Sequence, residues 1–128
     1  PDGISSTNAV IDQTANRIIL FGGYDSTWTT MADTWSYNIV TNTWTNLNPP
    51  SPPLGMYGGG LVYSPALGRD ILVGGYTYTG FVYVTDTWLY DSASNRWSKL
   101  TVNGSYAGQT YGILTYDTST NITLLVRG

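Results

Sequence analysis

The sequence lacks several residue types on which protein chemistry commonly depends. It contains no cysteine, no histidine and no glutamate, and only 10% of its 128 residues are charged. Without Cys and His the chain has no thiol nucleophile, no imidazole base and no thiolate or imidazole ligand for a metal ion. We therefore expect no metal site and no cofactor.

The charge balance and the hydrophobic pattern exclude two further classes of protein. The five basic residues are scattered and the net charge is −3, which does not suit a nucleic-acid partner. No apolar run approaches the roughly 18 residues of a membrane-spanning helix. We predict neither nucleic-acid binding nor a membrane span.

The residues that are abundant favour β-structure. The chain has 15 Gly, 11 Tyr and 5 Trp, and Thr, Val and Ile are frequent. Aromatic and β-branched residues favour strands, whereas the shortage of Glu, Lys and Ala removes most of the helix-forming residues. The composition predicts an all-β protein.

An internal repeat organises the chain. The segment Ile19–Tyr24 reappears as Ile71–Tyr76, 52 residues later, and Asp33–Tyr37 reappears as Asp86–Tyr90, 53 residues later. The segment that begins at Ile19 and Ile71 starts a third time at Leu124. A period near 52 residues is typical of stacked supersecondary units.

Each unit contains the same features in the same order. These are a double glycine, a variable loop, the motif Asp-Thr-Trp-x-Tyr and, after six more residues, a Trp. This pattern resembles the kelch repeat of β-propellers, and the resemblance spans two full repeats and half of a third. It implies four-stranded antiparallel blades around an axis. We expect one segment, 1–128, with blade 1 at about 7–48, blade 2 at about 57–101 and a half blade at 110–128. Arg127 departs from the pattern, because it stands where the first glycine is expected.

The repeated positions are predicted to be structural. Glycines that end the second strand lie near the axis, where a Cβ atom would clash. The Tyr and Trp of the third and fourth strands are expected to fill the wedge between blades. These positions are Gly22, Gly23, Tyr37, Trp44, Gly74, Gly75, Tyr90 and Trp97.

The loops between the second and third strands, 24–31 and 76–83, are the candidate binding site. In the kelch family these loops, and those between blades, project from one face and engage partners. Aromatic residues on loops suit protein hot spots and stacking on sugars. The alternative is that the loops fold back and cover their own blade. The candidate residues are Tyr24, Asp25, Trp28, Tyr76, Tyr78, Phe81 and Tyr83.

The resulting functional prediction is a non-enzymatic module that presents its loops to a protein or glycan partner. The alternative is a structural subunit of an extracellular fibre or surface layer that self-assembles through open blade ends. A copper site like that of galactose oxidase requires His and Cys, which are absent. A glycosidase that uses two carboxylates is disfavoured, because the aspartates fall at turns and strand entries.

The blade number and the glycan acceptor motifs bear on partners and location. A propeller needs typically 4–8 blades, so we expect this segment to be part of a longer parent chain. The alternatives are further copies that close a ring or a neighbour that completes the strands. Low charge and two Asn-x-Ser/Thr motifs, at Asn103 and Asn121, favour an extracellular or cell-surface location over a cytoplasmic one.

Overall fold

The computed structural model describes residues 1, 3–103, 108 and 110–126, and within them the chain forms ten strands and no helix. The strands are β1 Asn8–Asp12, β2 Arg17–Phe21, β3 Thr34–Asn38, β4 Thr43–Asn46, β5 Gly60–Ser64, β6 Arg69–Thr77, β7 Val82–Asp91, β8 Arg96–Leu100, β9 Ile113–Asp117 and β10 Ile122–Val126. Arg127, which breaks the repeat pattern, and Ser105 of the first glycan acceptor motif lie outside the described residues.

The strands form three antiparallel sheets. Blade 1 has the order β1-β2-β3-β4, blade 2 has the order β5-β6-β7-β8, and β9 pairs with β10 in a half blade. Strand β1 contacts β5, and β5 contacts β9, so the first strands of successive sheets lie side by side. They form the inner edge of the stack. The all-β prediction of two and a half blades is confirmed.

One turn design closes five of the hairpins. Each turn ends in a residue with φ between 52° and 60°, a left-handed conformation that Asn and Gly tolerate best. These residues are Asn16, Asn42, Gly68, Asn95 and Asn121. In four of the turns an Asp or Asn side chain accepts the N–H two residues further on. This Asx turn explains why Asp or Asn stands there.

The double glycines allow the connector between blades to approach the strand ends. A Cβ atom on Gly22 would lie 2.2 Å from the carbonyl oxygen of Met56, and Gly23 donates its N–H to the same oxygen at 2.8 Å. Met56 is 1% exposed, and its sulfur would lie 3.0 Å from a Cβ atom on Gly75. A Cβ atom would therefore clash with backbone at Gly22, and at Gly75 it would crowd Met56 on a backbone whose φ of 129° side chains rarely adopt.

The core lies mainly at the junction between blades 1 and 2. Ile19 and Phe21 of blade 1 are buried against Tyr90 and Trp97 of blade 2. The rings of Phe21 and Trp97 lie 5.0 Å apart. The aromatic pair of blade 2 thus occupies the wedge between two sheets.

The equivalent pair of blade 1 has a different environment from the one expected. Tyr37 and Trp44 contact each other at 4.8 Å, but Trp44 is 44% exposed. Side chains that share the Tyr37 face of blade 1 point away from blade 2, since successive strand residues alternate between faces. The wedge-filling role predicted for Trp44 therefore does not apply within the described residues.

The second predicted loop is also shorter than expected. Strands β6 and β7 continue past the double glycine, and Tyr76 and Tyr83 pair across them. Only the turn Tyr78–Phe81 connects the strands, and a register shift between Val73 and Gly75 allows the extension. The alternating aromatic and β-branched residues on both sides of this turn favour a hairpin over an irregular loop.

Candidate functional site

Eight aromatic side chains form a continuous cluster at one end of the stack. They come from the β2–β3 loop, the connector between blades 1 and 2, the β6–β7 hairpin and the segment before β9. Neighbouring rings have centroids 5.0–6.4 Å apart. We call this cluster the aromatic loop face: Tyr24, Trp28, Tyr57, Tyr76, Tyr78, Phe81, Tyr83 and Tyr111.

Tyr24 and Tyr57 lie at the centre of this face. Tyr24 stacks on Trp28 with 5.2 Å between centroids and 15° between planes, and its ring meets Tyr57 edge-on. Tyr57 stacks on Tyr78 at 5.1 Å. A hydrogen bond with Tyr78, followed by burial, raises the pKa of the Tyr57 phenol. The centre is therefore a group of rings that support one another through stacked and edge-on contacts.

Asp25 shapes the loop that carries Trp28. Its Oδ1 accepts the backbone N–H groups of Thr27 and Thr29 at 2.8 and 3.0 Å and the Thr27 hydroxyl at 2.7 Å. The Thr27 hydroxyl, followed by the Thr29 amide, lowers the pKa of this carboxyl. Trp28 in turn donates its N–H to the carbonyl of Asp25 at 3.1 Å. The Oδ1 atom of Asp25 is thus engaged within its own turn.

Three aromatic residues with exposed rings have a left-handed backbone conformation, with positive φ. Trp28, Phe81 and Tyr111 have φ values of 62°, 54° and 61°. Their side chains are 60%, 74% and 67% exposed, so burial of the ring does not compensate for the backbone cost. A left-handed conformation is uncommon for bulky residues, and such strain is concentrated at functional sites.

The aromatic loop face is almost free of charge. Asp25 is the only residue with a formal charge in 24–31, 55–59 and 76–83. The cores of protein interfaces are likewise enriched in aromatic residues and depleted in charged ones. The arrangement suits contact with an uncharged surface.

The structure brings together the six aromatic residues that the sequence suggested as a binding site, and the seventh candidate, Asp25, lies in the same loop as Tyr24 and Trp28. The structure adds Tyr57 and Tyr111, which sequence reasoning missed because they precede the first strands of blade 2 and of the half blade. Each is followed by glycine, as Tyr57-Gly58 and Tyr111-Gly112, and this repeated pair was the available signal. Asn103 and Asn121 are exposed and are not part of the cluster.

Two four-stranded antiparallel sheets and a hairpin, stacked along their first strands, define a segment of a β-propeller. Residues 7–51, which contain blade 1, match the Kelch motif. The resemblance to kelch repeats is thereby confirmed for the first repeat, and the fold of the chain is consistent with a partial kelch propeller. This motif is characteristic of protein-interaction modules. No curated protein matches the sequence. In the part of the chain that the structure describes, no helix is long and apolar enough to cross a membrane.

Proposed function

We propose that the chain is a non-enzymatic interaction module that binds a protein partner through the aromatic loop face. The observation that supports this is the contiguity of eight rings, of which Trp28, Phe81, Tyr83 and Tyr111 are 56–74% exposed. Tyr and Trp offer a large contact area for few rotatable bonds, and they dominate the energetics of interfaces. The rings support one another before any partner arrives.

The charge pattern indicates the chemistry of the partner surface. The face carries no basic residue, and Oδ1 of its single acid is engaged in a turn. An apolar or aromatic patch with few charges is the complementary surface, because a charged group would lose its hydration without gaining a counter-ion. We place the interaction outside the cell or at its surface, which the low charge and the exposed acceptor Asn121 support.

Affinity capture from the extracellular and surface fractions of the source cells tests this proposal. The Trp28→Ala/Phe81→Ala double variant is compared with Leu67→Ala, whose side chain is 51% exposed at the opposite end of blade 2. We expect one protein to be retained by the wild type and by Leu67→Ala and to be at least about tenfold depleted with the double variant.

Two outcomes would overturn the proposal, provided that both variants unfold at the wild-type temperature. Equal retention by all three proteins would exclude the aromatic loop face as the binding site. Binding in a glycan array that the double variant loses, with no protein retained, would make the ligand a carbohydrate. Captured proteins are identified by mass spectrometry in each arm.

A second candidate function is assembly through the free sheet faces. Trp44 is exposed on blade 1, although its equivalent Trp97 packs on the hydrophobic face of a neighbouring blade, which presents Ile19 and Phe21. The half blade exposes an aliphatic face of the matching kind, with side chains 48–66% exposed: Ile113, Ile122, Leu124 and Val126. The Trp44 face of one copy could therefore pack on the half-blade face of the next copy. Such head-to-tail contacts form rings or fibres.

Sedimentation velocity over a range of concentrations tests assembly separately from partner binding. Trp44→Arg and Leu124→Arg should each remove the larger species, whereas Trp28→Ala should leave them unchanged. A wild-type chain that remains monomeric at every concentration would eliminate this second function without affecting the first.

A further inference from the structure

Two buried carboxyl groups meet at the junction between blades 1 and 2. Asp12 ends β1 and is 1% exposed, and Asp70 lies in β6 and is 0% exposed. Strands β1 and β6 are in contact across the junction, and the charge of Asp12 contributes to raising the pKa of the Asp70 carboxyl. Neither carboxyl oxygen of Asp70 has a hydrogen-bond partner among the described residues. An unpaired buried carboxylate is strongly unfavourable.

The two aspartates differ in what the repeat requires of them. Asp12 starts a hairpin turn and accepts the N–H groups of Thr14 and Ala15 at 2.7 and 2.9 Å. Asp117 starts the corresponding turn of the half blade, so turn formation explains Asp12. Asp70, by contrast, aligns with Ile18 of blade 1, two residues after the left-handed residue of the turn. The fold therefore does not need a carboxyl group at position 70.

Among the residues that the structure describes, no basic side chain lies within 4.0 Å of either carboxyl group. Arg17 is the cross-strand neighbour of Asp12, yet its guanidinium forms no ion pair within 4.0 Å of either aspartate. Arg69 is adjacent to Asp70 in sequence, but it pairs with Asp91 at 3.0 Å. Within the described part of the chain, both carboxyl groups are thus buried without a positively charged partner.

The neighbouring phenols do not supply the missing donor either. Tyr63 and Tyr90 flank Asp70 on the adjacent strands β5 and β7. The Tyr90 hydroxyl donates to Asn95 Oδ1 at 2.9 Å, and the Tyr63 hydroxyl lies 2.8 Å from Thr14 Oγ1. Because both hydroxyl groups are engaged elsewhere, Asp12 is the remaining neighbour with which Asp70 can form a hydrogen bond.

We infer that Asp12 and Asp70 share a proton across the blade junction and that the loss of this proton with rising pH loosens the junction. Two adjacent buried carboxyl groups do not ionise together, and a shared proton gives Asp70 its missing hydrogen bond. Burial, followed by the charge of Asp12, raises the pKa of Asp70 to about 8. The proton is therefore held at neutral pH.

The direction of the pH effect follows from this raised pKa. The folded chain binds the proton more tightly than the unfolded chain, in which the carboxyl has its ordinary pKa of 3.8. The stabilising effect is complete below that value, declines as the pH rises and is lost as the pH passes through about 8. Between these limits the unfolding equilibrium constant should increase by up to about tenfold per pH unit because of this group.

Urea unfolding from about pH 5 to about pH 9 tests the inference. We compare the wild type with Asp70→Asn and with Asp70→Ile, which installs the blade 1 residue. The control is Asp86→Asn, which removes an acid that pairs with Lys99 at the surface. The wild type and the control should lose about 100-fold in the folding equilibrium constant between about pH 5 and about pH 7, and both Asp70 variants should lose much less. Parallel profiles for the wild type and Asp70→Asn would overturn the inference.

Carbon NMR of the wild-type carboxyl groups gives a result even if the Asp70 variants fail to fold. The Asp70 carboxyl should titrate well above the ordinary value of 3.8, and titration at or below that value would overturn the inference.

Discussion

The indole N–H of Trp97 in blade 2 donates a hydrogen bond to Thr34 Oγ1 in blade 1 at 3.0 Å. Trp97 is 6% exposed and Thr34 is 0% exposed, so the bond is buried within the junction. Hydrophobic contact between blades is not directional, whereas this bond fixes how the two sheets sit on each other. The same repeat position in blade 1, Trp44, has no such contact among the described residues.

The two tryptophans allow a comparison within one chain. Trp97→Ala should lower the free energy of unfolding by about 3–5 kcal/mol, because it removes a buried ring and leaves a cavity. Trp44→Ala should lower it by about 1 kcal/mol or less, since the side chain is half exposed. Urea unfolding of the two variants measures the difference. Equal losses would show that the outer face of blade 1 is covered in solution.

The hydroxyl of Thr34 can be tested without changing the shape of the core. Thr34→Val leaves the Trp97 N–H without an acceptor and should cost about 1–3 kcal/mol of stability. Thr34→Ser retains the acceptor and should recover part of that loss, while Thr45→Val on the exposed strand β4 should have little effect. If Thr34→Val and Thr45→Val are equally stable, the hydrogen bond does not contribute to stability.

Asn95 combines a turn conformation with a contact between blades. Its Nδ2 donates to the carbonyl of Leu47 at 2.7 Å, and its Oδ1 accepts from Tyr90 at 2.9 Å. Asn121 has the same left-handed conformation and the equivalent bond from Tyr116, but no described residue of another blade bonds to it. Glycine keeps the turn at both positions. Asn95→Gly should therefore cost about 1–2 kcal/mol more than Asn121→Gly, measured by thermal unfolding.

Much of the fold was predictable because its signals are local. Turn residues such as Asn16 and Asn95 and the double glycines stand at fixed places in each repeat, and each has a conformational reason to be there. The extension of β6 and β7 was not predictable. It depends on a register shift near Gly75 and on the cross-strand contact of Tyr76 with Tyr83, whose rings lie 5.1 Å apart.

The candidate site was predictable only in part. Trp28 and Phe81 lie on connections that the repeat identifies, but Tyr57 joins them through contacts between segments distant in sequence. The environment of Asp70 is a property of the packed junction for the same reason. Its sequence position, inside a strand, gives no indication that Asp12 of another blade lies beside it.

The turn built on Asp25 should respond to acid. The pKa of this carboxyl lies below its ordinary value of 3.8, so the turn is stabilised above that pH and loosens as the pH falls through the lowered pKa. Asp25→Ala should speed amide hydrogen exchange at Thr27 and Thr29 at neutral pH without changing the melting temperature. Ser26→Ala, which alters an exposed neighbour, is the control. Unchanged exchange in Asp25→Ala would mean that the loop holds its shape by other contacts.

Substitution of Phe81 tests whether the strained backbone at this position contributes to binding. Its φ of 54° suits Asn better than Phe, and its ring is 74% exposed. Phe81→Asn should therefore raise the free energy of unfolding by up to about 1 kcal/mol, whereas Val82→Asn in the adjoining strand should not raise it. The same Phe81 variant should bind the captured partner less tightly, since gains in stability at a functional site commonly reduce function. If Phe81→Asn instead destabilises the chain, the ring packs on its own blade, and the loops act as a cover rather than as a binding surface.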